Sequence, residues 1–566
     1  MIQTATTFIP SDLDATQWSQ LEPLYAALLE RELACEKCLE QLILDRSELD
    51  SAVSEAGANL YISMTRHTDD EDARHAYLAF VEEVQPKLQQ TSFELDRRIV
   101  ESPHAAKLDQ ERYGVLLRDL RADVEIFREE NVPLATEETK LGQQYSEICG
   151  AMMVEFDGEE RTLPQMARYL EENDRAVRES AWRAVAERRY EDHDRLDEIM
   201  DAMIRLRHTM ARNAGFDTYR DYAFKAKHRF DYTPEDCMAF HQACEEVCVP
   251  VMRRLNAERG ELLGVDSLRP WDLAVDVKGR DPLRPFDGAG ELIDRSSRLF
   301  HRLESGLGEM FDRLREGDAL DLESRKGKAP GGYQYNRDLS RRPFIFMNAA
   351  GLQRDVETMI HESGHAFHSM LCEDDPLVHY RHAPIEFAEV ASMSMELMVF
   401  PHLDEFYQGE ELHRAMRGQL ESIAAMLPWT ATIDAFQHWM YTHPEHTRDE
   451  RYAAWNELID RFGADVDWSG LEHLRATLWQ RQLHLFEVPF YYIEYGIARL
   501  GALQLWLQSR RDPDRALANY RRAMALGGSR PLPELFAAAE LDFDFGPAIM
   551  RRLMDEVQTV LDELPA

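Results

Sequence analysis

Residues 355–372 read Asp355-Val356-Glu357-Thr358-Met359-Ile360-His361-Glu362-Ser363-Gly364-His365-Ala366-Phe367-His368-Ser369-Met370-Leu371-Cys372. The stretch is proline-free and its apolar residues recur at helical steps, so it predicts an amphipathic helix. Within it, His361-Glu362-Ser363-Gly364-His365 forms an HExxH motif. Residues i and i+4 stand one above the other on a helix face, so His361 and His365 can reach one tetrahedral zinc ion. Glu362 is rotated away from that pair, where it can hydrogen-bond a zinc-bound water and take its proton.

Two histidines need a third ligand. The position six residues past His365, where one class of such enzymes has another histidine, is Leu371. His368 points in a different direction on the helix and reads as a packing residue or an outer partner of the site. The alternative is a glutamate from a later helix. Pro384-Ile385-Glu386-Phe387-Ala388-Glu389-Val390-Ala391-Ser392-Met393-Ser394-Met395-Glu396 starts with proline at a plausible first helical position. It offers Glu386, Glu389 and Glu396. Glu389 and Glu396 fall nearly on one face, whereas Glu386 suits a first-turn acidic residue facing the helix dipole.

Just upstream, Pro343-Phe344-Ile345-Phe346-Met347-Asn348 is a short apolar run between breakers and predicts a strand. Gly331-Gly332 precedes it without a GxxxxGK[ST] pattern, so it reads as a turn near the site and not as a phosphate loop. Downstream, His484-Leu485-Phe486-Glu487-Val488-Pro489-Phe490-Tyr491-Tyr492-Ile493-Glu494-Tyr495 gathers a histidine and three tyrosines. Attack of a metal-activated water on a carbonyl builds negative charge on its oxygen, and a phenol or imidazolium aimed at that oxygen lowers the barrier. On a continuous helix Tyr491 and Tyr495 would share a face, with His484 two turns earlier. Aromatic residues at that spacing also suit a packed core.

The three segments together resemble the oligoendopeptidase F family of zinc metallopeptidases, relatives of thimet oligopeptidase. His361, Glu362, Gly364, His365 and His368 match the family's HExGHxxH, and Glu389-Val390-Ala391-Ser392 matches its ligand glutamate segment at about the family's spacing. The resemblance implies that His361, His365 and Glu389 hold one zinc ion per chain. It makes Glu362 the general base and later acid, and Glu396 a hydrogen-bond partner of a ligand histidine. His484 with Tyr491 or Tyr495 would stabilise the transition state. It further implies internal cleavage of short peptides in an enclosed channel, and an edge strand over Arg342–Asn348 that borders the cleft. Asn213–Arg220 and Glu155–Glu159 also look familiar from the family, whereas the first ~140 residues match only in helical texture. The fold expected is mainly α: a two-lobed, zincin-like metallopeptidase with a small β-sheet beside the HExxH helix. Residues 1–200 would form an N-terminal helical lobe and 201–566 the catalytic domain.

Composition agrees with a large globular enzyme. The chain has 566 residues, 44% hydrophobic and 30% charged, with a formal net charge of −39. Such acidity repels nucleic acid and anionic membrane surfaces, which sets both aside as principal partners. No window approaches the ~20 apolar residues of a membrane helix. The N-terminal residues 1–7 have no signal-peptide pattern. Seven thinly spread cysteines, including a lone Cys35-Glu36-Lys37-Cys38 expected as two thiols on a surface helix, indicate a reduced, cytoplasmic protein. A non-enzymatic protein with a purely structural zinc would fill all four positions and leave Glu362 without a task.

Overall fold

The computed structural model describes residues 8–325, 327–329 and 331–565; the N-terminal residues 1–7 lie outside it. The fold is mainly helical, with five short strands among the described residues. No described helix is long and apolar enough to cross a membrane.

The chain forms two compact units, each assembled from three segments. The first takes the N-terminal segment up to Phe127, then Arg284–Leu412 and Gly501–Phe543. The second takes Arg128–Leu283, His413–Leu500 and the C-terminal segment from Asp544. Residue 200, expected as the boundary between lobes, falls inside the helix His193–Asn213. Composition reports only sequence neighbours, whereas these units are built by contacts between segments hundreds of residues apart.

In the first unit, the expected periodic run produces the helix Trp18–Glu30, which buries Leu21, Tyr25 and Leu28. The next helix, Glu36–Arg66, adds Leu39, Leu42, Ile43 and Leu49 to the same core, which also takes in Leu377 and Tyr380. Cys35 caps that helix and is disulfide-bonded to Cys38, with Cα atoms 5.1 Å apart. The two expected thiols are therefore one cystine, because a CxxC at a helix start brings its cysteines within bonding range. The other five cysteines form no disulfide.

The first unit also holds a three-stranded sheet. β3 (Leu320–Glu323), β4 (Tyr333–Tyr335) and β5 (Phe344–Ala349) lie in the order β3-β5-β4, with β3–β5 parallel and β4–β5 antiparallel. The strand expected over 343–348 is thus present, but it is central and not at the edge. Phe344, Ile345, Phe346 and Met347 are all buried, as a strand flanked on both sides and covered on both faces requires. β4 takes the edge. Lys328, buried beside the Gly331-Gly332 turn, donates to Asp321 Oδ1 at 2.8 Å and to the Asp321 and Glu323 carbonyls at 2.9 Å. That lysine ties the turn to β3.

In the second unit, β1 (Met153–Phe156) and β2 (Glu159–Thr162) form an antiparallel hairpin. Asp157 and Gly158, with φ of 54° and 74°, supply the left-handed pair that a tight hairpin needs. Helices make up most of the remainder, among them Pro234–Ala243 and the long Glu410–Thr442.

Candidate functional site

The HExxH residues lie on the helix Gln353–Leu371. Its start is fixed by Asp355, whose carboxylate accepts the Ala350 and Leu352 backbone N–H groups at 2.7 and 2.9 Å. Its buried face carries Val356, Met359, Ile360, Ala366, Phe367 and Met370. The glutamate segment forms the partner helix Ile385–Met398. The two helices meet at Gly364, where an added Cβ would stand 2.6 Å from Ser392 Cα and 2.8 Å from the Ala391 carbonyl oxygen. Glycine is therefore required by the closeness of the helices. Tyr520 donates to the Ala391 carbonyl at 3.3 Å, across the same crossing.

This approach brings His361, His365 and Glu389 together, with ligand atoms all within 4.8 Å of one another. His361 Nε2 is 3.4 Å and His365 Nε2 3.6 Å from Glu389 Oε2. Tetrahedral zinc with ~2.0–2.2 Å bonds separates its ligand atoms by about 3.3–3.6 Å, so the donor set fits such an ion. His361 Nδ1 bonds Glu396 Oε1 at 2.7 Å, which orients Nε2 toward Glu389. His365 donates to the Ala388 carbonyl, and Ser392 Oγ donates to Glu389 Oε2 at 2.9 Å. Each expected ligand is thus held by an outer partner.

Charge in this cluster is finely opposed. Burial alone would lower the His361 pKa, but the bond to Glu396 and the Glu389 charge carry it up to about 9. Burial draws His365 down to about 4 against the pull of Glu389. Burial pushes Glu362 up to about 7, opposed by His361 and by an N–H from Gln334 and aided by Glu389. A cation between these groups would displace the His361 proton and relieve the carboxylates. Glu362 is on the helix beside the ligand pair, and its link to Gln334 joins it to β4. His368 is buried against Phe387 with its Nε2 unbonded, and it belongs to the packing and not to the ligand group. Glu386 is buried in the first turn of its helix.

The aromatic group belongs to the second unit. Residues 484–495 do not lie on one continuous helix. Leu483–Glu487 is a short helix, and the next begins only at Tyr492, after a break in which Phe490 adopts φ 62°. Pro489 lacks the N–H to continue the first helix. The reversal brings His484 back against the tyrosines. Its Nε2 is 3.4 Å from the Tyr495 hydroxyl, and its ring centroid lies 5.5 Å from Tyr491 and 4.9 Å from Tyr492. Tyr491 and Tyr495 rings are 5.0 Å apart. Gln482 Nε2 sits 3.0 Å from His484 Nδ1.

Sequence reasoning missed the groups that hold this break. Buried Arg207 donates to the Leu485 carbonyl at 3.0 Å and to that of Phe486. Buried Arg229 donates to the Phe490 carbonyl and to Glu494 Oε1, the latter at 2.6 Å. Nothing in the local sequence marks them, since both lie more than two hundred residues upstream.

Comparison with known proteins identifies the family of the chain. The family model "Peptidase family M3" matches residues 168–287 and 307–555, and "Peptidase M3 N-terminal domain" matches residues 9–127. The N-terminal match gives family meaning to a region where the sequence offered only helical texture. Among curated proteins, the chain is 21% identical over 465 residues to oligopeptidase PepF of Bacillus subtilis, covering 74% of this chain and 64% of that one. It is 21% identical over 331 residues to group B oligopeptidase PepB of Streptococcus agalactiae, covering 58% and 51%. The chain thus spans about half to two thirds of the length of these relatives. Among solved structures, PZ peptidase A with an inhibitor superposes with a TM-score of 0.92 at 28% identity, covering 97% of both chains. An oligoendopeptidase F from Bacillus anthracis gives 0.88 at 25% identity, covering 99% and 98%. With its HExxH helix, glutamate helix and both family segments accounted for, the chain belongs to peptidase family M3, a family of metallopeptidases.

Proposed function

We propose that this protein is a zinc-dependent oligoendopeptidase that hydrolyses internal bonds of short peptides. The observation that carries the reading is the convergence of His361, His365 and Glu389 beside a buried Glu362. These three residues would hold the ion, with Glu396 keeping His361 in the ligating orientation. The bound ion supplies Lewis-acid chemistry, polarising the scissile carbonyl and making water a stronger acid. Glu362 takes the proton of the attacking water and delivers it to the departing amine. His484, Tyr491 and Tyr495 are assigned to the oxygen that gains negative charge, with Tyr495 foremost because His484 lies against its hydroxyl.

The names of the relatives support oligopeptides as the substrate class, and the β4 edge offers backbone groups to which an extended peptide can add. We also place the enzyme in the cytoplasm, a reading supported by five of the seven cysteines standing outside any disulfide.

The test is Glu362→Gln on an internally quenched peptide, with metal content measured on the same samples. The variant should retain one zinc equivalent at the His361 site and lose kcat by about 10³-fold or more. Full activity in that variant, or wild type that cleaves no member of a broad peptide library, would defeat the reading.

A further inference from the structure

A second donor cluster lies in the second unit and shares no residue with the groups above, although His438 packs edge-on against Phe490 with ring centroids 5.4 Å apart. The helix Pro234–Ala243 carries Cys237 and His241 one turn apart, and the helix Glu410–Thr442 carries Asp434 and His438 one turn apart. These i, i+4 pairs face each other: His241 Nε2 is 2.8 Å from Asp434 Oδ2, and His438 Nε2 is 3.3 Å from the same oxygen. The ligand atoms of Cys237, Asp434 and His438 lie within 4.8 Å of one another. Cys237 and Asp434 are wholly buried and His438 is 6% exposed.

The polar accounting at this cluster is incomplete. His438 Nδ1 and Asp434 Oδ1 are buried with no hydrogen-bond partner. Orphaned polar atoms in a dry core are costly, and their usual occupants are an ordered water or an ion. Two facing helices that each present an i, i+4 pair inward are a common way to build a metal site in a helical core. One sulfur, one nitrogen and one carboxylate oxygen form the mixed set that a borderline-soft divalent cation takes. A thiolate and a carboxylate would also neutralise a dication, which lets the group remain buried.

We propose that Cys237, Asp434 and His438 bind a second zinc ion remote from the catalytic chemistry, with a buried water as its fourth donor and His241 holding Asp434 in position. Cys237 gives up its thiol proton to solvent as the sulfur–metal bond forms. Burial keeps substrate away, so the ion braces the two helices and takes no part in hydrolysis.

The full chain, purified without chelator and equilibrated with zinc, should carry two equivalents by elemental analysis. His361→Ala should lose one equivalent, and Cys237→Ser should lose the other while retaining cleavage. A second measurement does not depend on the folding of the Cys237 variant. Cobalt added to the His361→Ala protein should give a thiolate-to-cobalt charge-transfer band, which the histidine and glutamate donors of the first site cannot produce. A single equivalent in wild type that disappears in His361→Ala, with no such band, would overturn the proposal and leave a buried water as the occupant.

Discussion

The His361–His365–Glu389 group and the His484–Tyr491–Tyr495 group solve the problem of positioning in opposite ways. In the first, regular helices do the work: one turn of helix aligns two histidines, and a glycine lets a second helix deliver the glutamate. In the second, an interrupted helix does it. A proline, a left-handed Phe490 and two buried arginines fold His484 back on the tyrosines. A metal ligand set tolerates little error and gains from rigid secondary structure. On the proposed reading, the second group would donate hydrogen bonds to a developing charge, and such donors can stand on a strapped turn, provided the straps are themselves buried.

The sharpest way to break this contrast is Tyr495→Phe. Removing one aimed hydroxyl should lower kcat by about 10²–10³-fold with KM little changed, while zinc content stays intact. If Tyr491→Phe shows that loss instead, the donor is the residue ahead of the helix and the pairing with His484 serves only to pack.

Glu396→Gln tests the first group. The amide still bonds His361 Nδ1 but removes a charge, and zinc affinity should fall by about 10–100-fold. Chelator competition would measure it. An unchanged affinity would mean that the helix alone orients His361.

Gly364→Ala addresses the helix crossing. The methyl group would meet backbone at 2.6 Å, and overpacking of that kind costs about 1–3 kcal/mol, read from thermal or urea unfolding. A neutral result would show that the crossing opens freely and that the ligand distances are soft.

The smallest effect concerns acid stability of the sheet beside the motif helix. Burial works to raise the Asp321 pKa, but Arg325, Lys328 and Arg66 pull it well below the ordinary carboxylate range. A depressed folded pKa contributes stability above the unfolded value near 3.8, and that stability is lost as pH falls below it. Asp321→Asn should therefore be less stable than wild type at neutral pH and converge with it in acid. Parallel curves across the range would remove Asp321 from the acid response.

What could be read from sequence follows from the same contrast. The motif helix, its base and its glutamate partner are written in spacings of three and four residues, which a helix converts directly into geometry. Singling out Glu389 as the candidate ligand needed the family resemblance, because Glu386, Glu389 and Glu396 share one short segment. The strand over 343–348 was visible as an apolar run, but not its central place, since β3 and β4 pair with it from other segments. The break at Phe490 was hidden because a non-glycine residue holds the left-handed conformation there. Its arginine straps come from far upstream. The unit boundaries escaped for the same reason.

The crossing at Gly364 has a consequence in time. Val390 of the glutamate helix lies 2.8 Å from where a Cβ on Gly501 would stand, and Tyr520 bonds the carbonyl of Ala391. Both partners are translated more than a hundred residues after the helices they brace. A ribosome that has finished the HExxH segment has therefore not yet made the pieces that press its two helices together. The packing of these two helices is therefore complete only once residues 501–520, in the last eighth of the chain, have been made.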